Sequence, residues 1–464
     1  MHHLITSIKT KFKGILARFF SGEGMSYRDV FSLLLPVVVD QFFLIGFNFI
    51  NTAMISSSGA AAISAVNIVG SLNVLLVQLF TSIALGGTVL IAQYYGQKNY
   101  KMIGKMVNGG VYATVLVATT AALLFMLLHR PILALLFGAA SPAVIHGARI
   151  YMIGILFSYV GESTIEGVNG CLRGIGRTKV SLQLSLLMNT IYLLFNFLFV
   201  TFMHLGVFGL TLSLNISRYS IAVLAIVTLY RNRAHFGLNF KTLRHIDWGL
   251  TKRVLKVSVP FAAESTFFNG GKIIMQMMIV TLGTAMIAAN AIASSWIQLS
   301  EIIPNALSVA LVPIVGQCIG RNNINDAKKL TKSFLGLGTL AFLAVDLGLL
   351  PFFSIGMRLF APAPATIPII FHIYLVVIGM HALFWSSSFV LPSALRAAGD
   401  AKFTTVVSLI SMWSFRIGFG YLIGIVLGYG IFGIFVVMSS EWAIRAIVFQ
   451  LRFHGGRWYR NKLI

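Results

Sequence analysis

Long apolar segments constrain this chain more than any other feature of its sequence. A helix of about 20 apolar residues crosses the roughly 30 Å hydrocarbon core of a membrane, and twelve segments of the chain have this character. They do not alternate between polar and apolar residues, so they predict helices and not the strands of a barrel. The segments are residues 29–54, 66–94, 105–128, 149–171, 180–203, 206–230, 254–282, 288–318, 330–352, 367–394, 403–427 and 429–450.

The charged residues support the same class and predict an orientation. Only 10% of the residues are charged, against about 25% in a soluble domain. Most of the 35 lysines and arginines fall in the N-terminal arm, in alternate loops and in the tail, and the other loops keep only Arg130, Arg149 and Arg358. Positive charge collects on the cytoplasmic side of a membrane. We therefore predict a multi-pass protein of a bacterial or archaeal plasma membrane, with both termini cytoplasmic.

The net charge of +23 would suggest a nucleic-acid partner in a soluble protein. Here the positive-inside asymmetry accounts for it, so membrane lipid is predicted as a partner and nucleic acid is not. Residues 1–24 place apolar side chains on one helical face and Lys9, Lys11, Lys13 and Arg18 on the other. This pattern predicts an amphipathic helix lying in the membrane interface, with a mitochondrial presequence as the alternative.

The chain contains an internal repeat. A shift of 224 positions aligns Pro36 and Asp40 with Pro260 and Glu264, in LLLPVVVDQFF and VSVPFAAESTFF. With one residue deleted, CLRGIGRTK aligns with ALRAAGDAK, and GVFG later aligns with GIFG. Each repeat spans six helices, so both have the same orientation, and such repeats are related by an axis along the membrane normal.

We therefore predict an all-α membrane protein of twelve transmembrane helices, in two homologous six-helix bundles related by a pseudo-two-fold axis. The predicted parts are an interfacial helix (1–24), an N-lobe (25–230), a basic cytoplasmic linker (231–253), a C-lobe (254–450) and a basic tail (451–464).

The sequence motifs do not indicate an enzyme. The sequence has no Walker-type loop, no metal-spaced Cys/His cluster and no nucleophile–base pair, so we predict neither an enzyme nor a cofactor. Gly86 and Gly87 predict close helix packing. Gly176 and Gly399 predict left-handed residues that end helices.

The repeated motifs resemble those of the multidrug and toxic compound extrusion (MATE) family. The resemblance rests on the proline and acid of the first helix in each repeat, on GTVLIAQYYGQ and LVPIVGQCIGR, on the LRGIGRTK and LRAAGDAK pair, and on GVFG and GIFG. It covers roughly residues 25–450. It implies cation-coupled export of bulky, amphipathic and often cationic small molecules.

The resemblance also distinguishes branches of the family. Asp40 is similar to the first-helix acid of the DinF-like branch, and Glu264 to the seventh-helix acid of the NorM-like branch. The chain departs from both patterns. Its tenth helix lacks the carboxylate that NorM-like proteins pair with the seventh-helix acid, and Tyr192 and Asn196 stand where an Asn and an Asp are common. Both departures favour protons over sodium as the coupling ion.

Asp40 is the strongest candidate for proton coupling. It lies within an apolar run, where a carboxylate is costly and usually faces an aqueous cavity or a partner. Desolvation favours the protonated form of a carboxyl group, so a group of this kind can load and release a proton. Asn51 shares the helical face of Asp40, because eleven residues correspond to about 20° around a helix.

Glu264 is predicted as a second acidic site, with either a structural or a coupling role. Lys272 follows it by eight residues, about 12 Å along the helix axis, too far for a direct contact but able to balance charge in the C-lobe. We also expect a pairing of Arg416 with Glu441. The other supporting polar candidates are Glu162, Glu166, Tyr192 and Asn196.

The substrate cavity is predicted less directly. Aromatic and methionine side chains suit varied cationic ligands, since they repack and attract positive charge. Candidates near the two acids are Phe43, Phe47, Phe267 and Met275.

The sequence therefore predicts a monomeric secondary antiporter that exports amphipathic, often cationic compounds by alternating access between two lobes. Protons are the expected coupling ion and sodium is the second option. A lipid-linked saccharide flippase of the same wider superfamily is an alternative, although such chains usually resemble fourteen-helix proteins with basic cavities. A membrane enzyme or a scaffold is the alternative of another class.

Overall fold

A computed structural model describes residues 13–14, 16–56, 60–137, 141–238, 247–360, 362–461 and 463–464. These residues form helices joined by short connections, and no strand occurs among them. Twelve helices among these residues correspond to the twelve predicted membrane segments. They are α1 (Tyr27–Ser56), α2 (Ala60–Gly96), α3 (Tyr100–Leu127), α4 (Pro142–Gly174), α5 (Thr178–Asn196), α6 (Gly206–Arg231), α7 (Trp248–Val280), α8 (Thr284–Gly320), α9 (Ile324–Leu349), α10 (Ile367–Met380), α11 (Ala401–Ile410) and α12 (Gly430–His454).

Eleven helices in the described part of the chain are long and apolar enough to cross a membrane. α7 is not among them, because Glu264, Lys272 and several small polar residues lower its hydropathy. Backbone groups in hydrocarbon must find partners within the protein, and a helix pairs them internally. The predicted all-α membrane architecture is confirmed.

Contacts divide the chain into two compact units. The first, called the N-unit here, is residues 39–262, and the second, the C-unit, combines residues 1–38 with 263–464. The two division points lie two residues after Pro36 and Pro260, so they obey the same 224-residue shift as the sequence repeat. The units thus differ from the predicted lobes, since the opening parts of α1 and α7 each pack with the other half of the chain.

Small side chains allow the helices of the N-unit to approach closely. Ser258 on α7 donates a hydrogen bond to the carbonyl of Ile83 on α2 (2.9 Å). A Cβ atom at Gly86 would lie 2.0 Å from Oγ of the same serine, so the prediction that Gly86 permits close packing is confirmed. Deeper in this unit, the rings of Phe80 and Tyr159 meet edge to face with their centroids 5.1 Å apart.

The two repeated LRxxG segments end helices as predicted. Gly176 has φ +85° and Gly399 has φ +101°, a backbone region that glycine occupies without steric cost. The amide of Gly176 donates to the carbonyl of Arg173, and that of Gly399 to Arg396 (both 3.0 Å). Both turns therefore fix the arginine that precedes them at the end of its helix.

The C-unit contains wide helical turns and an anchored N-terminal segment. α10 continues through a π-helical stretch, His381–Val390, and α11 through another, Ser411–Phe419.

Most of the predicted interfacial helix lies outside the described residues. At its described end, Phe20 is buried against Phe31 and Phe334, so this part of the N-terminal segment packs on α9.

Candidate functional site

Asp40 lies in the interior of the N-unit. Its residue surface is 7% exposed, and Oδ1 has no hydrogen-bond partner among the described residues. The hydroxyl of Ser185 on α5 contacts the carboxylate, and Arg173, at the end of α4, is close enough to interact with it electrostatically. The carboxylate thus has one cation nearby but not a direct ion pair among the described residues.

Glu166 shares that arginine with Asp40. It lies on α4 and interacts with Arg173, with Asp40 and with the hydroxyl of Thr81 on α2. Asp40 and Glu166 thus share Arg173. When both carboxyl groups are ionised, one of their two negative charges has no compensating positive charge from this arginine.

Glu162, the acid one turn away, is differently placed. Its Oε2 lies 3.0 Å from Nε of Arg218 on α6, and both side chains are 8% exposed. Arg218 also donates a hydrogen bond to Ser158 (2.6 Å). Removing either partner of such a buried pair would leave the other charge without compensation. Glu162 also interacts electrostatically with Glu166, but unlike Glu166 it has an arginine of its own.

The predicted polar candidates Asn51, Tyr192 and Asn196 come together in the N-unit. Nδ2 of Asn196 donates to Oδ1 of Asn51 (3.1 Å), and Tyr192 makes hydrogen-bonding contacts with both side chains. The sequence places Asn51 on the same helical face as Asp40, but it does not predict that Asn51 contacts Tyr192 and Asn196. That contact forms because α5 lies against α1.

Glu264 has the same type of environment in the C-unit as Asp40 has in the N-unit. It is 8% exposed, accepts a hydrogen bond from Ser408 (2.8 Å) and lies 3.6 Å from Nη2 of Arg396. Ser408 and Arg396 are the repeat counterparts of Ser185 and Arg173 at a shift of 223 residues. Both units therefore carry an acid, a serine and an arginine in equivalent positions.

Lys272 balances charge in the C-unit, as the sequence interpretation allowed, but through an acid other than Glu264. It interacts with Glu301 on α8 and lies over the ring of Phe268, 5.2 Å from its centroid. Arg396, which comes from a distant part of the chain, takes the position next to Glu264. The predicted pair of Arg416 and Glu441 is confirmed, with Nε 3.0 Å from Oε2.

Three ionisable residues of the C-unit were not identified as functional candidates from the sequence. Glu301 on α8, Asp346 on α9 and His381 after α10 all lie inside apolar runs, and that position alone marks a functional candidate. Nδ1 of His381 lies 3.1 Å from Oδ2 of Asp346, with the side chains 0% and 1% exposed. The tenth span thus lacks a carboxylate but contributes a histidine that is paired with the ninth.

The four predicted cavity residues fall into two groups. Phe43 and Phe47 stack with centroids 5.9 Å apart on α1 of the N-unit, and Phe267 of the C-unit meets Trp413 edge to face at 6.3 Å. Phe43 and Phe267 are exposed. Met275 is buried within the C-unit, and the assignment of these four residues to a substrate cavity stays a prediction.

The described residues contain no group of three or more His, Cys, Asp or Glu side chains arranged to hold a metal ion.

The fold and these interior charges define a multi-pass membrane transporter. The family model described as MatE matches residues 36–198 and 260–422. The chain therefore belongs to the MatE family of multidrug efflux transporters, and the division of the match into two equal parts reproduces the internal repeat.

Relatives of known name agree with this assignment. The uncharacterized transporter YisQ of Bacillus subtilis is 26% identical over 445 residues, covering 93% of this chain and 95% of that protein. A probable multidrug resistance protein NorM of Thermotoga maritima is 22% identical, covering 94% of each.

Solved structures share the fold. A mutant of the Vibrio cholerae MATE transporter VcmN has a TM-score of 0.84 at 16% identity, covering 97% of this chain and 99% of that one. A MOP superfamily transporter from Pyrococcus furiosus has a TM-score of 0.82 at 15% identity, with 92% and 95% covered. The predicted resemblance to the MATE family is confirmed.

Proposed function

We propose that this transporter exports amphipathic, often cationic compounds in exchange for protons, with Asp40 as the proton-carrying group. It would act in the plasma membrane of a bacterium or archaeon, with both termini in the cytoplasm. Sodium is the second candidate for the coupling ion.

The charge balance of the N-unit carries this proposal. Among the described residues of its membrane helices, the three acids Asp40, Glu162 and Glu166 interact with two arginines, Arg173 and Arg218. An unpaired charge in a low-dielectric interior is removed by binding a proton or a cation. The Glu162–Arg218 pair is complete, so the bound proton belongs to Asp40 and Glu166, which share Arg173.

This arrangement explains how exchange would be coupled. With a proton bound, the Asp40–Glu166 pair is balanced by Arg173, and a cationic substrate gains nothing electrostatically by approaching. When the proton leaves, the uncompensated charge attracts a cation. The proton and the substrate thus exclude one another thermodynamically, and alternating access to the two sides of the membrane would convert this competition into export.

Exposed aromatic rings suit the proposed substrates. Phe43 lies three residues beyond Asp40 on α1, and stacks on Phe47. An aromatic face attracts a cation by about 0.5–2 kcal/mol, depending on solvation, and it accommodates varied shapes because no directional bond is required. The combination of one acid and adjacent aromatic rings favours amphipathic cations over neutral compounds.

The choice between protons and sodium can be tested in proteoliposomes. A pH gradient is expected to drive ethidium transport equally well in sodium-free choline buffer and in sodium buffer, because a proton alone restores the charge balance. Ethidium flux would be followed by its fluorescence, with nigericin in potassium buffer as the control that collapses the pH gradient. Transport that stops when sodium is omitted at a constant pH gradient would refute proton coupling.

The proposed orientation gives a separate prediction. Cysteines introduced as Lys101→Cys and Arg358→Cys lie at exposed positions, and the native Cys171 and Cys318 are buried. A membrane-impermeant maleimide added to intact cells is expected to label Arg358→Cys, and Lys101→Cys only after the cells are opened. Labelling of Lys101→Cys from outside would reverse the proposed topology.

A further inference from the structure

Among the ion-pair contacts of the described C-unit residues, the His381–Asp346 pair is the most deeply buried, and the proposed role of Asp40 makes no use of it. Asp346 Oδ2 lies 3.1 Å from His381 Nδ1, and no lysine or arginine lies within ion-pair distance of Asp346 among the described residues. Oδ1 of Asp346 and Nε2 of His381 have no hydrogen-bond partner in that part of the chain.

Charges elsewhere in the C-unit do not compensate Asp346. Glu441 contacts two arginines, Arg416 (Nε to Oε2, 3.0 Å) and Arg445 (Nη1 to Oε1, 3.4 Å). Glu264 pairs with Arg396, and Glu301 interacts with Lys272. Glu264, Glu301 and Glu441 thus each have a cationic partner among the described residues, whereas Asp346 has only His381 beside it.

The groups that face His381 come from several helices. Asp346 reaches it from α9, and Glu301 on α8 interacts with it electrostatically. The ring also stacks on Trp442 of α12, with centroids 5.4 Å apart and planes 17° apart. On that helix, Glu441 pairs with both Arg445 and Arg416. Among the described residues, the acids that interact with His381 are Asp346 and Glu301.

A buried carboxylate with only an imidazole beside it requires one proton to be electrically neutral. We propose that His381 and Asp346 form a second proton-binding site, in the C-unit, which loads and releases one proton during transport. With the proton bound, an imidazolium donates from Nδ1 to the carboxylate. Without it, the imidazole is neutral and the carboxylate retains a negative charge that a cationic substrate can balance.

Two features of this segment fit such a site. Imidazole is the side chain that ordinarily changes charge between about pH 5 and pH 8. His381 is also the first residue of the π-helical stretch His381–Val390, and π-helical turns often occur at functional positions because they displace side chains from regular helical register.

The stacked indole gives a test that does not depend on transport. A protonated imidazole in contact with an indole quenches its fluorescence, so the tryptophan emission of the purified protein is expected to fall as the pH is lowered from 8 to 5. His381→Gln should remove this transition. Trp442→Phe should weaken it, because the ring of Trp385 also meets His381 edge to face, with centroids 6.4 Å apart. Asp40→Asn should retain it, because Asp40 lies in the N-unit, and so should His372→Gln, a matched change of an exposed histidine on α10.

A second variant serves as a control for destabilisation of the protein by His381→Gln, which leaves Asp346 without a charged partner. The double change Asp346→Asn with His381→Gln is neutral and nearly isosteric, so it should fold and lack the transition. A transition that persists in both variants, or that is absent from the unmodified protein, would overturn the inference.

The role in transport rests on the proposed proton coupling and is measured separately. The number of protons exchanged per substrate is expected to fall from two to one in the double variant, and export should continue through Asp40. An unchanged stoichiometry would overturn the second site while leaving Asp40 intact. Loss of proton coupling in the unmodified protein, with the fluorescence transition retained, would instead identify a failure of the proposed function.

Discussion

Replacing Asp40 with asparagine is expected to reduce proton-driven export to the level of cells that lack the transporter. Asparagine is nearly isosteric with a protonated aspartic acid but cannot release a proton, so the charge of the site no longer changes. The variant should insert and fold normally, or more stably, because an incompletely compensated charge is removed from a buried position. Efflux of ethidium and the amount of protein in the membrane would be measured together.

Glu264→Gln is the matched control for this change. Glu264 occupies the equivalent position of the repeat, but it lies 3.6 Å from Arg396 and accepts a hydrogen bond from Ser408. Because Glu264 already has a cation within ion-pair distance, its replacement should reduce efflux less. Near-normal efflux by Asp40→Asn, together with an inactive but well-expressed Glu264→Gln, would place the coupling site in the C-unit.

Replacing Glu441 with glutamine is expected to destabilise the protein severely. The carboxylate compensates both Arg416 and Arg445 and accepts a further hydrogen bond from Ser411 (2.9 Å). All of these side chains are buried. Breaking a buried ion pair by removing one partner costs about 3–5 kcal/mol, because the remaining charge is left without compensation. The loss would be measured as a lower melting temperature of the purified protein by circular dichroism.

Two further variants separate this mechanism from a general effect of mutation. Glu441→Gln combined with Arg416→Met removes one charge of each sign and should recover much of the stability. Glu23→Gln changes an exposed acid and should alter the stability by less than about 1 kcal/mol. Equal melting temperatures of Glu441→Gln and the unmodified protein would show that the buried network does not stabilise the fold.

Much of this molecule follows from the sequence alone. The length and apolarity of the segments determine that they form membrane helices, because hydrocarbon offers no partners to an open backbone. The 224-residue repeat determines that the architecture is duplicated, and the division points at 38/39 and 262/263 follow the same shift. Gly176 and Gly399 could be assigned to left-handed turns, since this requirement is local to a few residues.

The partners of the interior charges were decided by the tertiary structure. Periodicity places Asp40 and Asn51 on one face of one helix, but it does not show which distant residue approaches that face. Arg173 reaches Asp40 and Arg396 reaches Glu264 because turns at helix ends direct them there, and Lys272 points to Glu301 instead. His381 meets Asp346 across 35 residues. Helix formation is a local property of the chain, whereas electrostatic pairing depends on how the helices pack, and packing determines which carboxylates require a proton.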